Sequence, residues 1–267
     1  MLNPVRCTAE EIAELILSVA PDLKRSATCD TFKCGDPKAV VRGVVVTWMA
    51  TRAVLDRAAQ AGANLVITHE PTFFEHDRSA EMRGDAVVES KRKFADGHGI
   101  VVWRCHDSWH LMRPDGILTG VTREIGWENY QRKDNQELFD LPGSITLGNL
   151  SLQLKRMLGI PMVRVVGDLN LPIQRVALSC GSNSWNHQRT LLNEPGVDAL
   201  VCGEAREWET YEYVRDSVAA GRQRGLVVLG HCNSEELGMR YLARWLSERI
   251  PGLRIDFVPA GDSFTYV

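Results

Sequence analysis

The chain reads as an α/β protein made of two related α/β halves, the first completed by the C-terminal segment. Three observations predict this. Apolar runs of strand length at 65–67, 100–103 and 226–229 alternate with stretches of helical periodicity, the pattern of βαβ units in a largely parallel sheet. Residues 61–70 register without a gap against 195–204, pairing Gly62 with Gly196, Asn64 with Asp198 and Glu70 with Glu204. An offset of about 130 residues is too long for a solenoid repeat and fits duplicated halves. The last segment then returns to the first pattern, with a buried strand ending in ligand-type residues.

The elements follow in order. Thr8 with Glu11 makes a capping box opening a helix through about Val19, and Pro21 ends it. A loop over 24–37 precedes a strand near 41–47. The helix expected over 51–61 stops at Gly62, placed as the left-handed residue after a C-cap. It feeds the strand Leu65-Val66-Ile67, β-branched and apolar throughout, which suits burial on both faces. Pro71 ends that strand, since proline cannot donate to a ladder. After a loop over 77–84 comes a helix over about 85–95, then the strand 100–103.

Residues 127–143 are polar with little periodicity, and a boundary is placed there. A helix over 147–158 follows, then strands at 162–166 and 176–179, the latter closed by Cys180-Gly181-Ser182. A further helix leads into the second copy of the repeat, where Gly203 stands in the histidine position; that half is read as having lost the ligand and as structural. In the last segment Asn233 or Ser234 is expected to cap a helix over 235–250, and a strand over 253–258 closes the chain.

Composition narrows the function classes. A net charge of −3 gives no general pull towards nucleic acid, so nucleic acid is not an expected partner. The run Lys91-Arg92-Lys93 reads as a solvated helix face. Apolar runs are strand-sized, so no membrane span is expected, and residues 1–6 lack the apolar core of a signal peptide. Seven cysteines without a C-x-x-C pair argue against a thiolate zinc site and for reduced thiols in a cytoplasmic protein.

Three strand termini carry metal-ligand side chains: His69-Glu70, His106 with His110, and His231 with Glu235. Each pair alone has a structural explanation, a cap or a carbonyl partner. Yet four of the seven histidines fall at what reads as one edge of a parallel sheet, where open α/β sheets bind ligands. Histidine and carboxylate ligands without cysteine suit Zn, Mn, Fe or Ni. Cys105 and Cys232 read as packing; His76, His98 and His187 read as ordinary loop or surface residues.

These motifs resemble those of the NIF-three-like family of dinuclear metal-centre proteins, often named GTP cyclohydrolase type-2-like. The family's His-His-Pro, His-Thr-x-x-Asp and Gly-His-x-x-Ser-Glu stand here as His69-Glu70-Pro71, His106-Asp107-Ser108-Trp109-His110 and Gly230-His231-Cys232-Asn233-Ser234-Glu235. The third matches fully. In the others Glu70 replaces a histidine and His110 replaces the aspartate. Cys180-Gly181-Ser182 resembles the family's Gly-Gly-Ser turn, and residues 258–263 its closing segment.

The resemblance implies a metal set of His69, Glu70, His110, His231 and Glu235, again three histidines and two carboxylates, holding two divalent transition-metal ions per chain. It implies domains 1–126 plus 225–267 for the metal site and 127–224 for the remainder, and a homo-hexamer. The activity it implies is metal-dependent hydrolysis of a small molecule, a purine nucleotide in the cyclohydrolase case, with His106 and Glu70 moving protons. The alternative is a non-catalytic metal-binding scaffold or regulatory partner-binding protein. Convergent basic groups beside the metals would favour the nucleotide.

Overall fold

The structure, a computed structural model, describes residues 7–75 and 84–267. The 1–6 segment, His76 and most of the 77–84 loop lie outside the described residues. Two compact units are present, Met1–Gly120 with Gly238–Gly261, and Val121–Leu237 with Asp262–Val267.

The first unit is built on α1 (Ala9–Leu17), β1 (Phe32–Cys34), β2 (Val44–Thr47), α2 (Arg52–Gln60), β3 (Leu65–Thr68), α3 (Ala86–Gly97), β4 (Val101–Arg104) and α4 (Asp107–Leu111). Next come α5 (Gly116–Glu124), β5 (Leu138–Thr146), α6 (Leu147–Leu158), β6 (Arg164–Val166), β7 (Pro172–Ser179), α7 (Trp185–Leu192) and β8 (Ala199–Cys202). A π-helical turn Glu207–Tyr211, α8 (Glu212–Ala219), β9 (Gly225–Val228), α9 (His231–Arg249) and β10 (Ile255–Phe257) complete the chain. The division between units falls within α5 and α9.

In the first unit the sheet order is β1-β4-β3-β2-β10. β10, β2, β3 and β4 are parallel, and only β1 runs antiparallel. All four residues of β2, β3 and β4 are buried, as their unbroken apolar runs require for strands covered on both faces. Val54, Leu55 and Ala58 of α2 pack with Val45, Val66 and Val102 in one core cluster. The expected capping box is formed: Thr8 N donates to Glu11 and Glu11 N donates to the Thr8 hydroxyl. Gly62 takes φ +70° after α2, where a Cβ would be strained.

The second sheet has the order β5-β7-β8-β9-β6, with β7, β8 and β9 parallel and the two outer strands antiparallel. β3 and β8, the two copies of the repeat, are each the middle strand of their own sheet. The likeness extends to side chains. Asn64 Oδ1 accepts from Arg42 N (2.7 Å), and Asp198 Oδ2 accepts from Gln174 N and Arg175 N (both 2.8 Å), each tying the repeat strand to its neighbour.

Several expectations are corrected. The 225–237 segment belongs to the second unit, because β9 ladders with β8 and β6; the strand before His231 is therefore not in the sheet that carries His69 and His106. The 127–143 stretch, read as a polar boundary of little periodicity, is partly strand. It contains most of β5, whose Leu138, Phe139 and Leu141 are buried on an edge strand broken in register near Pro142-Gly143. α9 begins at His231, not near Glu235, and Ser234 lies inside its first turn, donating to His231 O (2.7 Å). Lys91 is not solvated: it is buried, gives its ammonium to Thr72 O, and is pushed down to about 8 by that burial. His187, read as an ordinary loop or surface residue, lies on α7 and is partly buried, with its Nε2 2.8 Å from Glu137 Oε1. Among the described residues no helix is long and apolar enough to cross a membrane.

Candidate metal centre

In the first unit the parallel ladder brings the ends of β3 and β4 side by side, pairing Thr68 with Arg104. His69 follows β3, His106 follows β4, and His110 lies one turn into α4. The three imidazoles form a compact group: ring centroids are 4.5 Å apart for His69 and His106, 5.1 Å for His69 and His110, and 5.0 Å for His106 and His110. One ring nitrogen from each lies within 4.8 Å of the others. Two nitrogens bound to one zinc at about 2.0–2.1 Å each stand at most about 4.2 Å apart, so a small side-chain turn closes the group.

Each ring has an oxygen partner at Nδ1. His69, fully buried, has Nδ1 3.0 Å from Cys105 O. A carbonyl only accepts, so Nδ1 carries the proton and Nε2 keeps its lone pair. His106 Nδ1 is 2.8 Å from Asp107 Oδ1, and His110 Nδ1 is 2.9 Å from Asp115 Oδ2. An oxygen partner on one ring nitrogen, fixing the tautomer and the ring's orientation, is the usual support of metal-binding histidines. The donor set thus fits a divalent transition metal.

The brace is itself built from afar. The Asp30 carboxylate, buried, accepts from the backbone N–H groups of His106, Asp107 and Ser108, each at 2.8 Å, and from the Ser108 hydroxyl. It thereby caps α4 in place of an N-cap side chain. Asp107 Oδ2 accepts from the Thr28 hydroxyl (2.8 Å) and Cys29 N (3.1 Å). The His106 imidazole, above all, holds the Asp107 carboxyl well below the usual carboxylate range. Cys29, His106 and Asp107 also make a ligand-type group, in which burial pushes the Cys29 thiol up to about 12. None of the seven cysteines is in a disulfide. Glu70, directly after His69, is partly buried.

The second unit holds the other expected pair. His231 and Glu235 are one turn apart on the same face of α9, with Nε2 to Oε2 at 3.1 Å. Glu235 is buried. Gly181, at φ +71°, lies against the pair: a Cβ there would collide with the Glu235 carboxylate and stand 3.3 Å from His231 Nε2. Ser234 Oγ accepts from Gly181 N (2.8 Å), fixing that turn to α9. Gly203 occupies the repeat's histidine position for a steric reason, since a Cβ would meet Ser234 Oγ and the Gly181 backbone.

Of the residues expected at the site, the structure groups His69, His106 and His110 in one unit, and His231 with Glu235 in the other. His106, expected to move protons, stands among the ligand-type rings. Asp30, Asp107 and Asp115 escaped the sequence reading because their partners are set by folding. The second half, which the sequence reads as structural, also brings an acidic side chain here: Glu204 Oε1 stands 3.7 Å from His231 Nδ1, an ion-pair rather than hydrogen-bond distance. The His231 imidazole, first among its neighbours, holds the Glu204 carboxyl below its ordinary value. The pairing of Glu204 with Glu70 in the repeat was the available signal.

An α/β chain of two similarly built sheets, with a braced imidazole trio at the carboxyl ends of adjacent strands, defines a class of protein with a candidate metal centre. The chain belongs to the Duf34/NIF3 (NGG1p interacting factor 3) family, whose profile matches residues 8–261. The GTP cyclohydrolase 1 type 2 homolog of Clostridium perfringens is 23% identical over 274 residues, covering 96% of this chain and 98% of that protein. In fold, the chain is similar to the Staphylococcus aureus hypothetical protein SA1388 (TM-score 0.78, 18% identity, covering 97% of this chain and 99% of that one). It is likewise similar to a Bacillus cereus protein related to NIF3 (TM-score 0.79, 16% identity, 98% and 99% covered).

Proposed function

We propose that this chain is a dinuclear metal-dependent hydrolase acting on a small molecule, with a purine nucleotide the first substrate class to try. The braced trio of His69, His106 and His110 is the observation that carries the reading. The proposed ligands are those read from the sequence, His69, Glu70, His110, His231 and Glu235, joined by His106. Two divalent ions of Zn, Mn, Fe or Ni are the proposed occupants, since imidazole and carboxylate donors suit them. Bound there, such ions supply Lewis acidity and lower the pKa of a coordinated water to about 7.

The chain's own residues supply the rest. The buried Cys105 carbonyl and the Asp107 and Asp115 carboxylates hold the three rings in place. Glu70 is the proposed proton acceptor, being an ionisable carboxylate beside His69 that is partly open to solvent. The nucleotide class is supported by the name of the Clostridium perfringens relative, and rests on that alone. A homo-hexamer in a reducing, cytoplasmic setting is proposed from the family resemblance and from seven cysteines of which none is in a disulfide.

The test is elemental analysis of gently purified protein reloaded with Zn, Mn or Fe, followed by a screen of nucleotide hydrolysis. About two ions per chain are expected, falling in His69→Ala and in the His231→Ala, Glu235→Ala double variant. Metal content at background in the wild type would sink the reading. Metal bound without turnover of any nucleotide would favour the non-catalytic scaffold instead.

A further inference from the structure

We propose that Asp115 and Asp107 are positioning residues that lock His110 and His106 as Nδ1–H tautomers, so that these rings turn the same nitrogen, Nε2, to a divalent cation as His69 does. The proposal rests on the metal-holding reading above. In a neutral imidazole one nitrogen donates and the other accepts, and the partner of the first decides which carries the proton. For His69 the Cys105 carbonyl makes that decision. For His106 and His110 the deciding atoms are carboxylate oxygens, at 2.8 and 2.9 Å from Nδ1.

Neither carboxylate is loosely placed. Asp115 spends its second oxygen on the start of α5, with Oδ1 accepting from Leu118 N at 2.9 Å. Asp107 spends its second oxygen on Thr28 Oγ1 and Cys29 N. Each is therefore gripped by N–H or O–H donors on one side and faces an imidazole with the other, Asp107 Oδ1 also taking the weak Cys29 thiol donor at 3.5 Å. Rotation about the last side-chain torsion would leave those donors unmet, so the oxygen facing the ring stays where it is.

An isosteric change exposes the device. In Asp115→Asn the remaining carbonyl oxygen is still needed by Leu118 N–H, so the new NH2 group faces His110 Nδ1. That nitrogen must then accept, the ring proton moves to Nε2, and the lone pair is lost from the cation's side. Asp107→Asn does the same to His106, because Thr28 and Cys29 claim the amide oxygen. Volume and backbone are unchanged, so a merely structural role for either carboxylate predicts neither outcome.

Two readouts on the full chain decide it. Long-range nitrogen–proton correlation spectra of metal-free protein should show protonated Nδ1 on both rings in the wild type. Protonation should switch to Nε2 at His110 in Asp115→Asn and at His106 in Asp107→Asn. Titration with cobalt(II), followed by its visible spectrum, should show affinity lowered by about 10–100-fold in each variant, with circular dichroism unaltered. If either variant fails to fold, the other carries the test at its own ring. Wild type with both rings in the Nδ1–H form that binds no cobalt would sink the metal reading and uphold the tautomer lock. Variants that keep the wild-type tautomer and bind cobalt within twofold of wild type would overturn the lock and leave the metal reading standing.

Discussion

At the scale of single residues, what a histidine does in this chain depends on the atom that meets its ring. His187 shows the case outside the metal centre. Its Nε2 lies 2.8 Å from Glu137 Oε1, and that hydrogen bond raises its pKa above the ordinary 6.5. A raised folded-state value means the contribution is fully present below the unfolded pKa and is lost as pH rises through the folded one. His187→Gln should therefore cost stability at pH 5.5 and close to nothing at pH 9. With 39% of the His187 side chain exposed, solvent screening keeps the difference below about 1 kcal/mol. Urea unfolding of both proteins at the two pH values checks this; an equal loss at both would mean packing, not charge, is at stake.

At the scale of elements, α4 is the least self-sufficient and the most consequential. Five residues cannot hold a helix in water without outside support. Asp30, 76 to 78 residues upstream, supplies it by accepting from three successive backbone N–H groups and the Ser108 hydroxyl. Asp30→Ala would leave those buried donors unmet. We expect a loss of about 2–3 kcal/mol, at the upper end for a helix cap, and a fall in metal affinity, since His106 and His110 ride on this turn. Chemical denaturation with a parallel cobalt titration reads both. A stability change under about 0.5 kcal/mol would show that water replaces the carboxylate without penalty.

At the scale of the whole molecule, the internal repeat is written into both sheets. Gly62 and Gly196 take φ +70° and +77° at corresponding turns, and each leads into the middle strand of its sheet. The halves diverge at the strand ends, where His69 in one copy answers to Gly203 in the other. The proposed hexamer also belongs at this scale. Sedimentation velocity should give six times the 29.8 kDa chain mass, and a stable monomer across the micromolar range would refute it.

Much of this was legible in the residues themselves. Unbroken apolar runs such as Leu65-Val66-Ile67 mark buried parallel strands because they are short, bounded and rich in β-branched residues, which suits a strand covered on both faces. The Thr8-Glu11 box and Gly62 mark helix ends because their partners are three or fewer residues away. His69, His106 and His110 could be named as ligand-type residues because each closely follows a recognisable strand. Tertiary structure alone decided the rest. Which sheet receives β9 depends on ladder partners in β8 and β6, so the unit boundary could not be read from local pattern. Lys91 looked solvated until its buried carbonyl partner at Thr72 was known. The roles of Asp30, Asp107 and Asp115 follow the same rule, since a carboxylate's task is set by the donors that folding carries to it.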